Sequence, residues 1–308
     1  MHDHAHHPHD HVPARAPGAS FGRAFALGTV LNGGFVAAEV VFGIAAHSMA
    51  LLADAVHNAG DVLALLLAWG AAALARRLPS VRRTYGWGRG SILAALINAA
   101  VLLVSVGAIT LEAVERFLTP APVATATVAW VALAGIAING VTAWMFARGH
   151  EDLNIRATFL HMAADAGVSA GVVVAALLIA ATGLFWIDPV TSLLIAAVIV
   201  VGTWGVLRDS VNLAMDGVPS GIACADVETY LVGLPGVTEV HDLHIWGLST
   251  TETALTAHVV VAARDGDEAL IARATHDLAV LFGIGHVTLQ IETEALADRC
   301  RLRPADVV

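Results

Sequence analysis

The sequence predicts an all-α bundle of six transmembrane helices, followed by a small α+β domain. The chain is 57% hydrophobic and 14% charged, with a mean hydropathy of +0.73. Such a composition lies outside the range of soluble globular proteins. Apolar runs of about the 20 residues that a bilayer requires recur up to Leu207, and the composition becomes polar after Val211. Most of the chain is therefore expected to lie in lipid.

Six apolar runs, separated by short polar breaks, are each long enough to form a transmembrane helix. They occupy residues 25–44, 49–74, 91–114, 123–146, 157–184 and 190–207. The second and fifth runs are the middle members of successive three-helix halves. These two helices are therefore expected to cross the membrane in opposite directions.

Arginine supplies all 16 cationic side chains, and most of those near the spans fall on one side. That side carries Arg15, Arg23, Arg76, Arg77, Arg82, Arg83, Arg89, Arg148, Arg156 and Arg208, and the other side carries Arg116. The positive-inside rule then puts both termini in the cytoplasm, with the bacterial inner membrane as the expected location. The arginines after the second span are expected to contact anionic lipid headgroups. A net charge of -10 offers no basic surface for nucleic acid.

The polar part of the chain predicts helices at 222–232 and 268–281 and strands at 237–248, 254–261 and 287–291. Alternating apolar residues in the strands predict a sheet with helices on one face. We divide the chain into a His-rich tail (1–20), a transmembrane domain (21–211), a cytosolic domain (212–295) and a C-terminal tail (296–308). The first tail has six histidines within 11 residues and no apolar partner, which predicts a disordered segment that gathers metal loosely.

The second and fifth spans each carry the motif His-x-x-x-Asp. The motifs are His57 with Asp61 and His161 with Asp165. A spacing of four puts both side chains of a motif on one helical face, one turn apart. Inserting an Asp at mid-helix costs about 3 kcal/mol, so these residues are expected to face the bundle interior and to have partners.

In antiparallel helices the two motifs face each other crosswise, with each His level with the Asp of the other helix. The result is a set of two nitrogens and two oxygens, which suits tetrahedral zinc. Two carboxylates also neutralise a divalent cation at membrane depth. The simpler alternative is that each His and Asp bond within their own helix, but two matched copies favour a metal site. Asp54, on the same face as His57, is either an orienting residue, part of the outer exit, or structural.

Three segments resemble the cation diffusion facilitator family over residues 21 to 293: the stretch from Leu51 to Asp61, the His161 and Asp165 motif, and the stretch from His241 to Trp246. The resemblance implies a homodimeric, proton-coupled zinc exporter, which passes cadmium or cobalt in some members. It also implies that the two His-x-x-x-Asp motifs form the transport site. The domain of 212–295 would then be ferredoxin-like, would dimerise and would bind zinc.

The family pattern favours His241, His258 and Glu292 as zinc ligands in the cytosolic domain, with His286 and Gln290 as weaker possibilities. His244 is a further possibility, but three residues along a regular strand separate it from His241, so the two side chains are expected on opposite faces. Structural histidines are the alternative to this zinc site. The two cysteines, Cys224 and Cys300, are too few for a disulfide framework or a thiolate knuckle and are expected to carry little function.

The expected function is export of zinc from the cytoplasm in exchange for protons, with no organic cofactor and no enzymatic activity. An intramembrane zinc enzyme would need an open coordination position and a separate base, as in a His-Glu-x-x-His helix. The sequence contains no such motif. A membrane zinc sensor would leave the ligands at membrane depth without a reason to bind protons. Flux into liposomes separates these three alternatives.

Overall fold

The computed structural model describes residues 19–146, 153–264 and 266–303, so the His-rich tail lies almost wholly outside the described residues. Six long helices come first, and each is long and apolar enough to cross a membrane. They are α1 (Ala19–Ala46), α2 (Met49–Ala75), α3 (Gly90–Leu118), α4 (Thr125–Phe146), α5 (Leu153–Thr182) and α6 (Ile187–Ala214). The prediction of a six-helix bundle is confirmed.

The helices coincide with the six predicted spans except at their ends, where local contacts decide the boundary. Helix α5 ends two residues before the predicted limit because Gly183 adopts a left-handed φ of 69° and donates its N–H to the Ile179 carbonyl. This is the usual glycine termination of a helix. Helix α4 begins late because Ala124 still donates its N–H to the carbonyl of Ala46.

Helix α2 lies at the centre of the bundle and packs against α1, α3, α5 and α6, while α4 packs along α5 and α3 along α6. Small side chains dominate the buried contacts, which lets the helices approach closely in lipid. The buried cluster consists of Ala46, Ala50, Leu51, Ala53, Val106, Val128, Ala132, Val172, Ala176, Ile195, Ala196 and Ile199. This packing fixes the rotation of α2 and therefore the direction of its polar side chains.

The first turn of α2 is capped by an acidic residue from another helix. Asp188, at the start of α6, accepts hydrogen bonds from the Ser48 hydroxyl and from the backbone N–H of Met49. Ser48 in turn accepts from the N–H of Leu51. First-turn N–H groups have no partner within their own helix, and no partner is available in lipid. The Asp188 carboxylate therefore fixes one end of α2 to α6.

Two buried hydrogen bonds connect α2 to its other neighbours. Asn58 donates to the Glu39 carboxylate of α1 at 3.0 Å, and Ser169 of α5 donates to the Asp54 carboxylate at 2.9 Å. Glu39 and Asp54 are both fully buried. Hydrogen bonds are required when such groups enter the interior of a bundle, so these contacts specify how α1 and α5 sit against α2.

The C-terminal domain has a three-stranded sheet with helices. Its elements are α7 (Cys224–Val232), β1 (Val237–Gly247), β2 (Thr253–Val261), α8 (Asp267–Phe282), β3 (Ile284–Thr293) and α9 (Glu294–Ala297). The sheet order is β1-β2-β3, with β1 antiparallel and β3 parallel to β2. This confirms the predicted α+β domain, whose order of elements is that of a ferredoxin-like unit without a first strand.

One face of the sheet packs on α7 and α8 and forms the core. Its buried members are Val227, Leu231, Leu234, Val240, Ile245, Leu255, Ala257, Val259, Val261, Ala274, Leu278, Ile284 and Ile291. Along β2 these residues alternate with Thr256 and His258, because successive side chains of a strand point to opposite faces. The second face therefore carries the polar side chains, and α9 packs against β2 and β3.

A β-bulge in β1 overturns the expectation that His241 and His244 point to opposite faces. His241 pairs with His258, and His244 pairs with Thr256, so three steps along β1 match two along β2. Asp242 has a φ of 50° at this irregularity. The extra residue of a bulge shifts the alternation by one, and both histidines belong to the second face of the sheet.

The C-terminal domain contacts the helices at the start of α3. Arg89 forms an ion pair with Asp216, and the N–H of Thr250 donates to the Ser91 hydroxyl at 3.1 Å. The rings of Tyr85 and His286 meet edge to face with centroids 5.4 Å apart. The start of α3 and the loop before it are thereby held against the C-terminal domain.

The core of this domain predicts a contrast between two leucines of α8. Leu278 is fully buried, whereas Leu281 is 62% exposed. We expect Leu278→Ala to destabilise the domain by about 2–5 kcal/mol and Leu281→Ala to change its stability by less than about 0.5 kcal/mol. Hydrogen exchange of peptides from β2 and α8, measured in the full chain, reads out this difference. Equal protection in the two variants would contradict the assigned core.

Candidate functional site

The two His-x-x-x-Asp motifs meet between α2 and α5. His57 Nε2 lies 3.0 Å from Asp165 Oδ1, and His161 Nε2 lies 3.4 Å from Asp61 Oδ2. Each histidine thus contacts the aspartate of the other helix, which requires that the two motifs run in opposite directions. The structure brings all four sequence-predicted side chains together in this crossed arrangement.

The four side chains contribute unequally to the cluster. Donor atoms of His57, Asp61 and Asp165 all lie within 4.8 Å of one another, close enough to share a metal ion. His161 lies at the edge, 3.8 Å from Asp165 Oδ2 and with 46% of its side chain exposed. The His57 and His161 ring centroids are 6.4 Å apart. Turning the exposed His161 ring toward the three clustered donors would complete a set of two nitrogens and two oxygens.

The charge of this cluster suits a divalent cation. Asp165 is 2% exposed and Asp61 is partly buried, and Asp61 Oδ2 has no hydrogen-bond partner among the described residues. Two carboxylates in a medium of low dielectric constant repel each other strongly unless positive charge compensates them. A doubly charged cation, or protons on the histidines, supplies that compensation.

Asp54 lies one turn from His57 on α2 but does not join the group of three clustered donors. Its carboxylate accepts the hydrogen bond from Ser169 of α5. On the adjacent residue of α2, Asn58 bonds Glu39 of α1. These two contacts attach the part of α2 that carries His57 to α5 and α1.

A second cluster lies on the polar face of the C-terminal sheet. Donor atoms of His241, His258, Glu292 and Cys300 all lie within 4.8 Å of one another. His258 Nδ1 is 3.0 Å from Glu292 Oε1 and 3.5 Å from the Cys300 sulfur. His241 Nε2 is 3.5 Å from Glu292 Oε2. Each of the three strands contributes one residue, and the segment after β3 contributes the cysteine.

Unsatisfied polar atoms in this second cluster fit a bound metal. His241 is 7% exposed and Glu292 is 1% exposed. Both ring nitrogens of His241, and Oε2 of Glu292, are buried without a hydrogen-bond partner in the described part of the chain. Such groups carry a large desolvation cost. A zinc ion held by imidazole nitrogen, carboxylate oxygen and thiolate sulfur would satisfy one His241 nitrogen and the Glu292 oxygen.

The remaining residues predicted from the sequence lie outside this group of four donors. Gln290 donates to Glu292 Oε1 at 2.6 Å and so orients that carboxylate. His244 contacts Asp242 at 2.8 Å on the exposed side of the bulge. His286 lies at the other end of β3, against Tyr85.

Sequence reasoning missed two residues, Cys300 and Asp242. The expectation that cysteine carries little function considered only sites built from several thiolates, whereas a mixed site needs a single one. Asp242 Oδ2 lies 3.5 Å from His258 Nε2, on the outer side of that ring. Its position beside His258 depends on the bulge, and strand periodicity does not predict a bulge. A cysteine eight residues after Glu292 was the available signal for the first omission.

Two family models match the two parts of the chain. The model of the cation efflux transmembrane domain matches residues 26–213, and the model of the cation efflux protein cytoplasmic domain matches residues 219–294. The metal-bound C-terminal domain of the CzcD transporter from Cupriavidus metallidurans aligns at 39% identity over 23% of this chain and 99% of that chain, with a TM-score of 0.22.

Full-length relatives cover nearly the whole chain. The zinc transporter ZitB of Escherichia coli is 36% identical over 93% of this chain and 92% of its own length. The cadmium, cobalt and zinc/H(+)-K(+) antiporter of Bacillus subtilis is 35% identical over 85% and 86%. The metal cation efflux system protein CzcD of Cupriavidus metallidurans is 36% identical over 93% and 89%. These relatives are named as transporters and not as enzymes. Both family models match the chain, and the described residues include six candidate membrane spans. The chain therefore belongs to the cation efflux, or cation diffusion facilitator, family of integral membrane transporters.

Proposed function

We propose that this chain exports zinc, and related divalent ions such as cadmium and cobalt, from the cytoplasm in exchange for protons. The observation that carries the proposal is the crossed contact of His57 with Asp165 and of His161 with Asp61 inside the bundle. Relatives named for zinc, or for cadmium, cobalt and zinc, support this choice of metals. A mixed nitrogen and oxygen donor set suits the same borderline cations.

Coupling to protons follows from the groups at the site. Imidazole and carboxylate must be deprotonated to bind a metal, so metal and protons compete for the same atoms. Histidine has an unperturbed pKa of about 6.5, which allows this competition near neutral pH. Alternating access then loads zinc from the less acidic side and releases it to the more acidic side, and protons occupy the empty site on its return. The antiporter name of the Bacillus subtilis relative supports this coupling.

We place the C-terminal domain and both termini in the cytoplasm and expect the carrier to be a homodimer in the bacterial inner membrane. The excess of arginine on that side of the spans supports the orientation. In the C-terminal domain we assign His241, His258, Glu292 and Cys300 as the ligands of a regulatory zinc. That zinc would cross-link the three strands and the segment that follows them.

Removal of one carboxylate tests the transport site. We expect Asp165→Ala, and likewise Asp61→Ala, to lower zinc flux at limiting zinc by at least about a hundredfold. Such a loss corresponds to about 3 kcal/mol, as when one partner of a buried charge pair is removed. Zinc-65 uptake into proteoliposomes measures the flux. The matched control, Asp209→Ala, removes an exposed carboxylate of α6 and should retain normal flux. Normal flux in Asp165→Ala would rule out the site.

The direction of the pH gradient tests proton coupling. We expect zinc to move toward the acidic compartment of reconstituted vesicles, because protons displace zinc where they are abundant. Reversing the gradient should slow or reverse the movement. The measurement combines a zinc-sensitive and a pH-sensitive dye at clamped membrane voltage. Zinc movement without proton movement would point to a uniporter or channel, and zinc binding without flux would point to a sensor.

Metal selectivity tests His57 as a ligand. We expect His57→Asp to admit manganese, because the change replaces a borderline nitrogen with a hard oxygen. His47 is the matched control, since it lies in the turn between α1 and α2 and His47→Asp should leave selectivity unchanged. Competition of manganese against zinc-65 uptake gives the preference for manganese relative to zinc in each variant. An identical panel of metals in His57→Asp and the unsubstituted chain would remove His57 from the ligand set.

A further inference from the structure

The segment after β3, residues 294–303, returns across the polar face of the sheet and ends in a cluster of ion pairs. Arg303 donates from Nη2 to Glu239 Oε2 at 2.6 Å and from Nε to Glu239 Oε1 at 3.0 Å. It also contacts Glu294 Oε1 at 2.7 Å and Asp298 Oδ1 at 2.6 Å. Glu239 belongs to β1, whereas Glu294 and Asp298 belong to the segment itself. Arg303 therefore joins the segment to the sheet.

The geometry of this contact distinguishes it from an ordinary surface ion pair. A guanidinium that bonds both oxygens of one carboxylate is fixed in orientation as well as in distance. Three carboxylates around one guanidinium also form a network, the case in which exposed ion pairs contribute to stability. The hydrogen bonds from Arg303 hold the pKa of Glu239 below its usual value. The network therefore holds the segment of residues 294–303 against β1 through hydrogen bonds of fixed geometry.

Both ends of this network lie close to the metal cluster. Cys300 is three residues before Arg303, and its sulfur is 3.5 Å from His258 Nδ1. Glu239 is two residues before His241, and its Oε1 is 3.6 Å from His241 Nδ1. The salt bridge thus fixes where the thiol sits and also presents a negative charge to the outer nitrogen of a second ligand. This contact acts through charge, because no hydrogen bond joins the carboxylate to the ring.

We propose that Arg303 is a positioning residue that docks the segment of residues 294–303 on β1, so that the Cys300 thiolate becomes the fourth ligand of the regulatory metal site. The inference rests on the C-terminal site assigned under the proposed function. Without the docked segment, the sheet alone presents two imidazoles and one carboxylate, which leaves a coordination position open to water. With it, the site gains a soft sulfur ligand.

The fourth ligand determines which metals the site prefers. Thiolate sulfur favours zinc, cobalt and cadmium over hard cations such as manganese and magnesium. Closing the fourth position also removes the open site that a catalytic metal would need. The docked segment therefore makes the C-terminal site selective for the same class of cations that we assign to the transport site.

Cobalt absorption tests this role, because a sulfur-to-cobalt charge-transfer band reports thiolate ligation separately from the visible bands of the bound ion. The full chain would carry Asp165→Ala, to remove the transport site, alanine in place of the six histidines of residues 2–11, to remove cobalt binding by the tail, and Cys224→Ser, so that Cys300 is the remaining thiol. Arg303→Met removes the guanidinium that bonds both carboxylate oxygens of Glu239, and Cys300→Ser removes the thiolate ligand. Arg299→Met is the matched control, since Arg299 is an exposed arginine of the same segment. Arg303→Lys keeps the positive charge but lacks the paired N–H groups that bond both oxygens of one carboxylate.

We expect Arg303→Met to lose most of the charge-transfer band, to keep the visible bands, and to bind cobalt about tenfold more weakly, as when an outer partner of a metal ligand is removed. Arg303→Lys should be intermediate, and Arg299→Met unchanged. In the absence of metal, Arg303→Met should also speed alkylation of Cys300. Persistence of the full charge-transfer band in Arg303→Met, or its equal loss in Arg299→Met, would overturn the positioning role.

Two other results would overturn the inference at an earlier step, and they differ from each other. One result is visible cobalt bands without a charge-transfer band in the background chain that keeps both Arg303 and Cys300. This result would exclude the thiolate as a ligand while leaving the C-terminal metal site intact. Absence of all cobalt bands in that background chain would show that the C-terminal metal site does not form. Neither result would bear on zinc flux through the transmembrane site.

Discussion

The crossed contacts between α2 and α5 are the constraint on which the rest of the transmembrane domain depends. Two aspartates and two histidines within the bundle are tolerable only when each His faces an Asp of the other helix. Other features of α2 serve this condition. The Asp188 carboxylate caps its first turn, Ser169 holds Asp54, and small residues let α5 approach. The helix that carries His57 and Asp61 is thus also the transmembrane helix with the most neighbours.

The same principle recurs in the C-terminal domain with different elements. There the polar atoms lie on one face of a sheet whose other face forms the hydrophobic core. His241 and Glu292 are buried with unsatisfied atoms, and the segment that covers them also brings a thiol. In both domains, groups that would destabilise an isolated chain are collected at one place, where a divalent cation would satisfy them together.

Much of this arrangement could be predicted from the sequence. The six spans follow from hydrophobic length alone, and the crossed motifs follow from helical periodicity and the opposite directions of two helices. The cluster of His241, His258 and Glu292 required a family resemblance, since those residues are far apart in the chain. The contribution of Cys300 depends on the path of a segment without regular periodicity, and Asp188 caps a helix that starts 139 residues earlier. Contacts of this kind are set by tertiary structure.

The bulge at Asp242 imposes a constraint on the length of β1 during evolution. Val240 and Ile245 both lie in the hydrophobic core, although they are five positions apart and regular alternation would put them on opposite faces. The bulge adds the one residue that reconciles their positions while His241 stays on the polar face. Loss or gain of a single residue between 241 and 245 would move either the core or the ligand to the wrong side. A substitution in this strand keeps every side chain on its own face, whereas an insertion or deletion moves the following side chains to the other face.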